Sequence, residues 1–165
     1  MSRFTGPLVG QYQPIKLKWY EFWKSPRGMW LIHEPFDFLD DNGQLVVRVP
    51  GGNWSSDLAS TDVLPPLIGR AFPPDGPYAQ AAVVHDFVCA AELFPIKRNN
   101  EIMSLAMDAI PEVGGVTKKL VRAAIDIGTR ATYGEHTVER IKTLRGLIGV
   151  TDMQRPLWPD GKWHA

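Results

Sequence analysis

Hydrophobic residues are spaced in two ways along this chain, and the change comes near residue 77. Before it the period is two. Ile15-Lys16-Leu17-Lys18-Trp19-Tyr20 alternates apolar with polar, as a half-buried strand does. Met29 to His33 and Phe36 to Leu39 read as one further run, bent at Pro35. Asp40-Asp41-Asn42-Gly43 is a tight-turn signal, and Gln44 to Val49 returns as the partner strand of a hairpin that stops at Pro50-Gly51-Gly52. Residues 50–76 show no period and are punctuated by Pro65-Pro66 and Pro73-Pro74. That pattern predicts a long loop with a helical turn near Leu64–Arg70. A connection of this length inside a domain is more often functional than idle.

From Pro77 onward the spacing is three and four. Asp75 or Gly76 can cap a helix over Ala79–Ala91, with Pro77 suited to its first position because a missing N–H costs nothing there. Asn99 or Asn100 can cap a second helix running to Ile110, with Ile102, Leu105, Ala106 and Ala109 as its inward stripe. Thr117 to Tyr133 predicts a third helix burying Leu120, Val121, Ala124, Ile127 and Ala131. Thr137 to about Leu147 predicts a fourth, with Val138, Ile141, Leu144 and Ile148 on one side. Glu101 and Asp108, and the bases Lys118, Lys119, Arg122, Arg140, Lys142 and Arg145, are expected on solvated faces.

Strands followed by helices, without alternation, predict an α+β fold: an N-terminal antiparallel hairpin and sheet region, then a helical half of three to four helices. Residues 1–149 are read as one domain. Residues 150–165, with Pro156, Trp158, Pro159 and Trp163, are read as an extended C-terminal arm.

Charge changes the picture by exclusion. Eighteen basic and eighteen acidic residues cancel, so no global field favours nucleic acid or an anionic membrane. No 18-residue apolar run predicts membrane insertion, and Met1 to Gly6 carries no signal-peptide core. The expectation is synthesis in a reducing cytoplasm. A lone cysteine, Cys89, excludes an internal disulfide and a cysteine-cluster zinc site. Six tryptophans are more than one small core needs, and aromatic side chains anchor well in a neighbour's pocket. Tyr20-Glu21-Phe22-Trp23 and Leu157-Trp158-Pro159 are the candidate anchors, so protein partners are expected at both ends.

The candidate chemistry lies in Ala79–Ala91, an almost wholly apolar stretch with His85-Asp86 at its middle. Ala81, Ala82, Val88, Cys89 and Glu92 share the helical face of His85, so packing that face takes His85 inward. Ionisable groups in a core are costly unless paired or bound to metal. Asp57, His85 and Asp86, with Asn100 as a fourth, offer oxygen and imidazole ligands suited to zinc, manganese or iron. A metal-bound water would then be a hydrolytic nucleophile. Ser60 would be a nearby donor, and a serine nucleophile reading would use Ser56 or Ser60 with His85 and Asp57. The bland alternative is a latch in which His85 donates to Asp57, tying the long loop to the helix, while Asp86 caps or accepts from loop amides.

Val49-Pro50-Gly51-Gly52, Asn53-Trp54-Ser55-Ser56-Asp57-Leu58-Ala59-Ser60, Phe72-Pro73-Pro74-Asp75-Gly76-Pro77-Tyr78 and Ala82-Val83-Val84-His85-Asp86-Phe87 together resemble a known pattern. It is that of domain of unknown function 1353, a family of tailed bacteriophages and prophages, and the resemblance covers roughly residues 36–133. Two positions depart from it: Asp62 stands where the family usually has proline, and Asn100 where the next helix commonly offers aspartate. The resemblance implies a phage-encoded protein made in the host cytoplasm and carried in the virion, in its tail, neck or baseplate. The alternative is a metal-dependent hydrolase, acting on peptidoglycan during host penetration or lysis.

Overall fold

The hairpin signalled by Asn42-Gly43 is present. A computed structural model describes residues 1–15, 27–52, 54–56, 76–132 and 138–149 of the chain. Strand β1 is Arg3–Phe4, β2 Gly10–Ile15, β3 Arg27–Ile32, β4 Phe36–Leu39, β5 Leu45–Val49 and β6 Trp54–Ser56. Strands β4 and β5 pair antiparallel about a turn in which the Asp40 carboxylate accepts from the N–H groups of Asn42 and Gln44. Gly43 sits at φ 78°, the left-handed conformation that glycine adopts without a Cβ penalty. Phe36, Phe38, Val47 and Val49 point into the core, while Asp37 and Arg48 pair on the outer side at 2.7 and 2.8 Å. That alternation is the period-two pattern made physical.

There are two three-stranded antiparallel sheets, ordered β1-β4-β5 and β2-β3-β6. Met29–His33 and Phe36–Leu39, read above as one bent run, therefore belong to different sheets. Gly51 fits closely against the reversal between them: a Cβ there would lie 2.7 Å from the backbone of both His33 and Pro35. The strand expected at 16–20 lies outside the described residues, as do the loop around Leu64–Arg70, the aromatic anchors and the C-terminal arm.

The helices are α1 (Ala79–Ala90), α2 (Ile96–Asp108), α3 (Gly115–Thr132) and α4 (Val138–Leu147). The α+β reading holds. Among the described residues no helix is long and apolar enough to cross a membrane. Helix α1 is enclosed on several sides: Ala81, Val83, Val84, Phe87 and Val88 are all fully buried, and it meets α2, α4, β5 and β6. It starts later than its capping signal suggests. Tyr78 takes the N-cap position with no side-chain cap, and the Ala79 N–H donates to the Gly76 carbonyl.

Four further expectations are corrected. Helix α2 begins directly after Pro95, whose backbone (φ −56°, ψ 151°) breaks from α1, so Asn99 and Asn100 are interior residues and not caps. The buried stripe of α2 is Ile102, Met103, Ala106 and Met107, with Leu105 and Ala109 only partly covered. On α3, Val121 packs on the core as expected, but Leu120 is 45% exposed and Ile125 packs there as well. In that rotation Lys118 and Arg122 both reach Asp108 at the end of α2, at 3.4 and 2.8 Å. On α4, Val138 is exposed and Arg145 is not.

Arg145 is the largest of these surprises, since it is wholly buried. Helix α1 ends in a Schellman arrangement, with Leu93 N–H donating to Val88 and Glu92 N–H to Cys89. Glu92 occupies the left-handed position (φ 46°) where glycine is usual. Two carbonyls at this end remain to be satisfied. The Arg145 guanidinium donates to both, Nε to Ala91 at 2.9 Å and Nη2 to Glu92 at 2.6 Å. A lysine cannot reproduce that fork. Arg145→Lys and Arg145→Met should each lower the unfolding free energy by about 2–4 kcal/mol, the cost of stranding buried carbonyls and the neighbouring carboxylate. Urea denaturation checks this, and a wild-type midpoint for Arg145→Lys would remove the fork from the account.

Candidate functional site: the polar centre of helix α1

His85 and Asp86 lie mid-helix, about 100° apart around α1, so they address different neighbours. Both keep part of their surface exposed. Asp86 turns to β6, where it accepts the Ser56 hydroxyl proton at 2.6 Å. Ser56 and Trp54 are two apart in an extended strand and so share a face. Trp54 packs edge-on against Phe87, with ring centroids 5.3 Å apart and planes at 83°. One strand face therefore meets two successive helix residues, with a polar contact beside an aromatic one.

His85 turns to α2. Its Nε2–H donates to Asn100 Oδ1 at 3.2 Å, and the Cys89 sulfur, one helical turn on, lies 3.6 Å from the same nitrogen. Burial holds the imidazole pKa below its ordinary value of 6.5, and the bond to Asn100 only partly opposes that. The ring is therefore neutral near pH 7, and Nδ1 is its acceptor nitrogen. Burial, reinforced by the charges of Asp86 and Glu92 and opposed by the neighbouring Asn99 amide, pushes the Cys89 thiol far above its ordinary range. A thiol so disfavoured as thiolate is a poor nucleophile. Thiol and amide also share one imidazole nitrogen, whereas a Cys-His-Asn triad needs both ring nitrogens.

The centre continues toward the end of α1. Glu92 is 1% exposed, and burial raises its pKa while the Arg145 charge pulls it down. Asn99 is wholly buried, and its amide makes no well-formed hydrogen bond among the described residues.

Of the residues expected at the site, the structure brings His85 and Asn100 into contact and gives Asp86 to Ser56. Asn100 is thus the acceptor for the histidine proton. Asp57 and Ser60 lie outside the described residues. Among the described residues no three histidine, cysteine or carboxylate side chains gather as a metal-binding group. Ser56 donates its only hydroxyl proton to Asp86, which leaves none for His85 in a serine-nucleophile arrangement. Sequence reasoning missed Ser56 as the partner of Asp86, and it missed Arg145 altogether. Arg145 was visible in principle, standing four residues after Ile141 on the apolar side of α4.

A pH dependence follows. The unfolded chain protonates His85 as pH falls through about 6.5, whereas the folded chain resists until lower pH. The stability linked to His85 is thus present above that range and lost as pH falls below it. Glu92, with a raised pKa, acts in the opposite sense. Comparing wild type with His85→Gln isolates the histidine part: between about pH 8 and pH 5, the urea midpoint should fall more steeply for wild type. Parallel curves would show that His85 titrates normally in the folded state.

Comparison with known families matches residues 30–125, more than half of the chain, to a family described as "Protein of unknown function (DUF1353)". No curated protein and no solved structure matches. The matched stretch runs from Trp30 in β3 to Ile125 in α3 and contains Ser56, His85, Asp86 and Asn100. On that match the chain belongs to the DUF1353 family.

Proposed function

We propose that this chain is a virion-associated protein of a tailed phage, in the tail, neck or baseplate, and that the polar centre of α1 is a structural latch. The carrying observation is the pair of bonds that ties α1 to two different elements: Asp86 to Ser56 on β6, and His85 to Asn100 on α2. Each ionisable side chain meets a neutral polar group that fixes its direction. Such an arrangement specifies register and keeps a rigid module for assembly. The tryptophan-bearing segments around Trp19–Trp23 and Trp158–Trp163 would make its contacts with other particle proteins.

A second reading is favoured by one specific observation, the neutral imidazole beside a carboxylate on a partly exposed stretch of helix. Neutral histidine is metal-binding histidine. In that reading Asp57, His85 and Asp86 hold zinc, manganese or iron, with Asn100 orienting the ring, and a metal-activated water opens peptidoglycan during penetration or lysis.

Two measurements separate the readings. Mass spectrometry of purified particles should find the chain in fixed stoichiometry with known particle proteins, and elemental analysis of protein purified without chelator should find no stoichiometric metal. A metal that disappears in a folded His85→Ala variant would favour the hydrolase. Absence of the chain from particles would end the virion proposal. As a direct check on the latch, Ser56→Ala should cost about 1–3 kcal/mol by removing the hydroxyl donor from the Asp86 carboxylate, and less in an Asp86→Asn background.

A further inference from the structure

A groove of about 600 Å³ lies between α2 and α3, within the size range of small-molecule sites, about 300–1,000 Å³. Leu105 and Ile125 give it an apolar wall, and three cations, Lys97, Arg98 and Arg122, line it against one acid, Glu101. The chain as a whole is neutral, so this surplus is local.

Its placement is unfavourable for the protein alone. Lys97 and Arg98 stand in the first turn of α2, which contains no acidic residue and whose N-cap, Pro95, makes no side-chain cap bond. The first-turn N–H groups form the positive pole of the helix, where cations are disfavoured and anions welcome. Arg98 is partly offset by Glu101 at 3.3 Å, and Arg122 is aimed by Asp108 at 2.8 Å. Lys97 has no ion pair among the described residues. Two cations crowd the wrong end of a helix at the mouth of an apolar-walled groove, a configuration that an anionic ligand would relieve.

We infer that this groove binds a small amphipathic oxyanion, a carboxylate or phosphate attached to an apolar body. The oxyanion lies against Lys97, Arg98 and the first turn of α2, and the apolar body against Leu105 and Ile125. Guanidinium groups suit both oxyanions, because their fork matches carboxylate and phosphate alike. Asn100 lines the groove and also holds His85, so occupancy should be felt at the imidazole.

Hexyl phosphate, hexanoate and hexylammonium share one tail and differ in head group. Titrated into the full chain, the two anions should cause saturable NMR shifts in the Leu105 and Ile125 methyl signals and in the His85 ring, and hexylammonium should not. The tighter of the two anions identifies the preferred oxyanion. Lys97→Ala with Arg98→Ala should weaken anion binding by about tenfold or more, and Lys97→Glu alone should weaken it in the same direction. Lys97 is exposed and sits at the positive end of α2, so Lys97→Glu should fold with a melting temperature no lower than that of wild type. No saturable shift, an equal response to hexylammonium, or undiminished binding in folded Lys97→Glu would each overturn the inference.

Discussion

A helix that is enclosed on several sides leaves its polar groups little water, and that constraint shapes the surroundings of α1. Asp86 needs a donor, and Ser56 on β6 supplies it. His85 needs an acceptor, and Asn100 on α2 supplies it. The carbonyls at the end of the helix need donors, and Arg145 on α4 supplies them. Three elements from three parts of the chain are thereby assigned places against one helix. Burying an unmatched polar group costs about as much as burying a large apolar side chain gains, so no neighbour can shift without loss.

Stability and specificity come from different residues here. Phe38, Phe87, Ile32, Ile102 and Met107 are fully buried, and each contributes about 1.5–3 kcal/mol by leaving water. The net gain from a satisfied hydrogen bond is smaller, about 1 kcal/mol. An apolar face would accept several rotations of a packed helix. The polar matches accept one. That division accounts for a stretch as apolar as Ala79–Ala90 carrying two ionisable residues at its middle: the apolar positions hold it in place, and His85 and Asp86 set its orientation.

Much of this was legible from spacing. The β4–β5 hairpin, the α+β order, all four helices and the central place of His85-Asp86 follow from local pattern and turn chemistry. What stayed hidden depends on partners far apart in sequence. A basic residue among charges on a short helix reads as solvated, yet Arg145 is drawn inward because carbonyls more than fifty residues earlier lack donors. Leu120 fits an inward stripe, yet α3 is turned so that Val121 and Ile125 pack on the core and Lys118 and Arg122 meet Asp108 on α2. Asn99 and Asn100 look like caps, and Pro95 removes that role by starting the helix three residues before Asn99. At the site, residue 100 stood out in the sequence by its place in the pattern. Its pairing with His85 was not, because period alone does not say which turn of α1 faces which turn of α2.

That pairing also decides the electrostatics. An aspartate at position 100 would put a negative charge on the histidine proton, favour the imidazolium and raise the histidine pKa. Asparagine accepts the same proton without a charge, so burial governs the ring and keeps it neutral. The exchange has a second effect on the opposite side of the residue. Asn100 lines the groove with Lys97, Arg98 and Arg122, of which Arg98 pairs with Glu101 and Arg122 with Asp108, and an aspartate there would oppose the positive charge that remains. With asparagine the surplus persists at the positive end of α2. One uncharged side chain thus serves both surfaces: it accepts the His85 proton without a charge and adds no negative charge to the neighbouring groove.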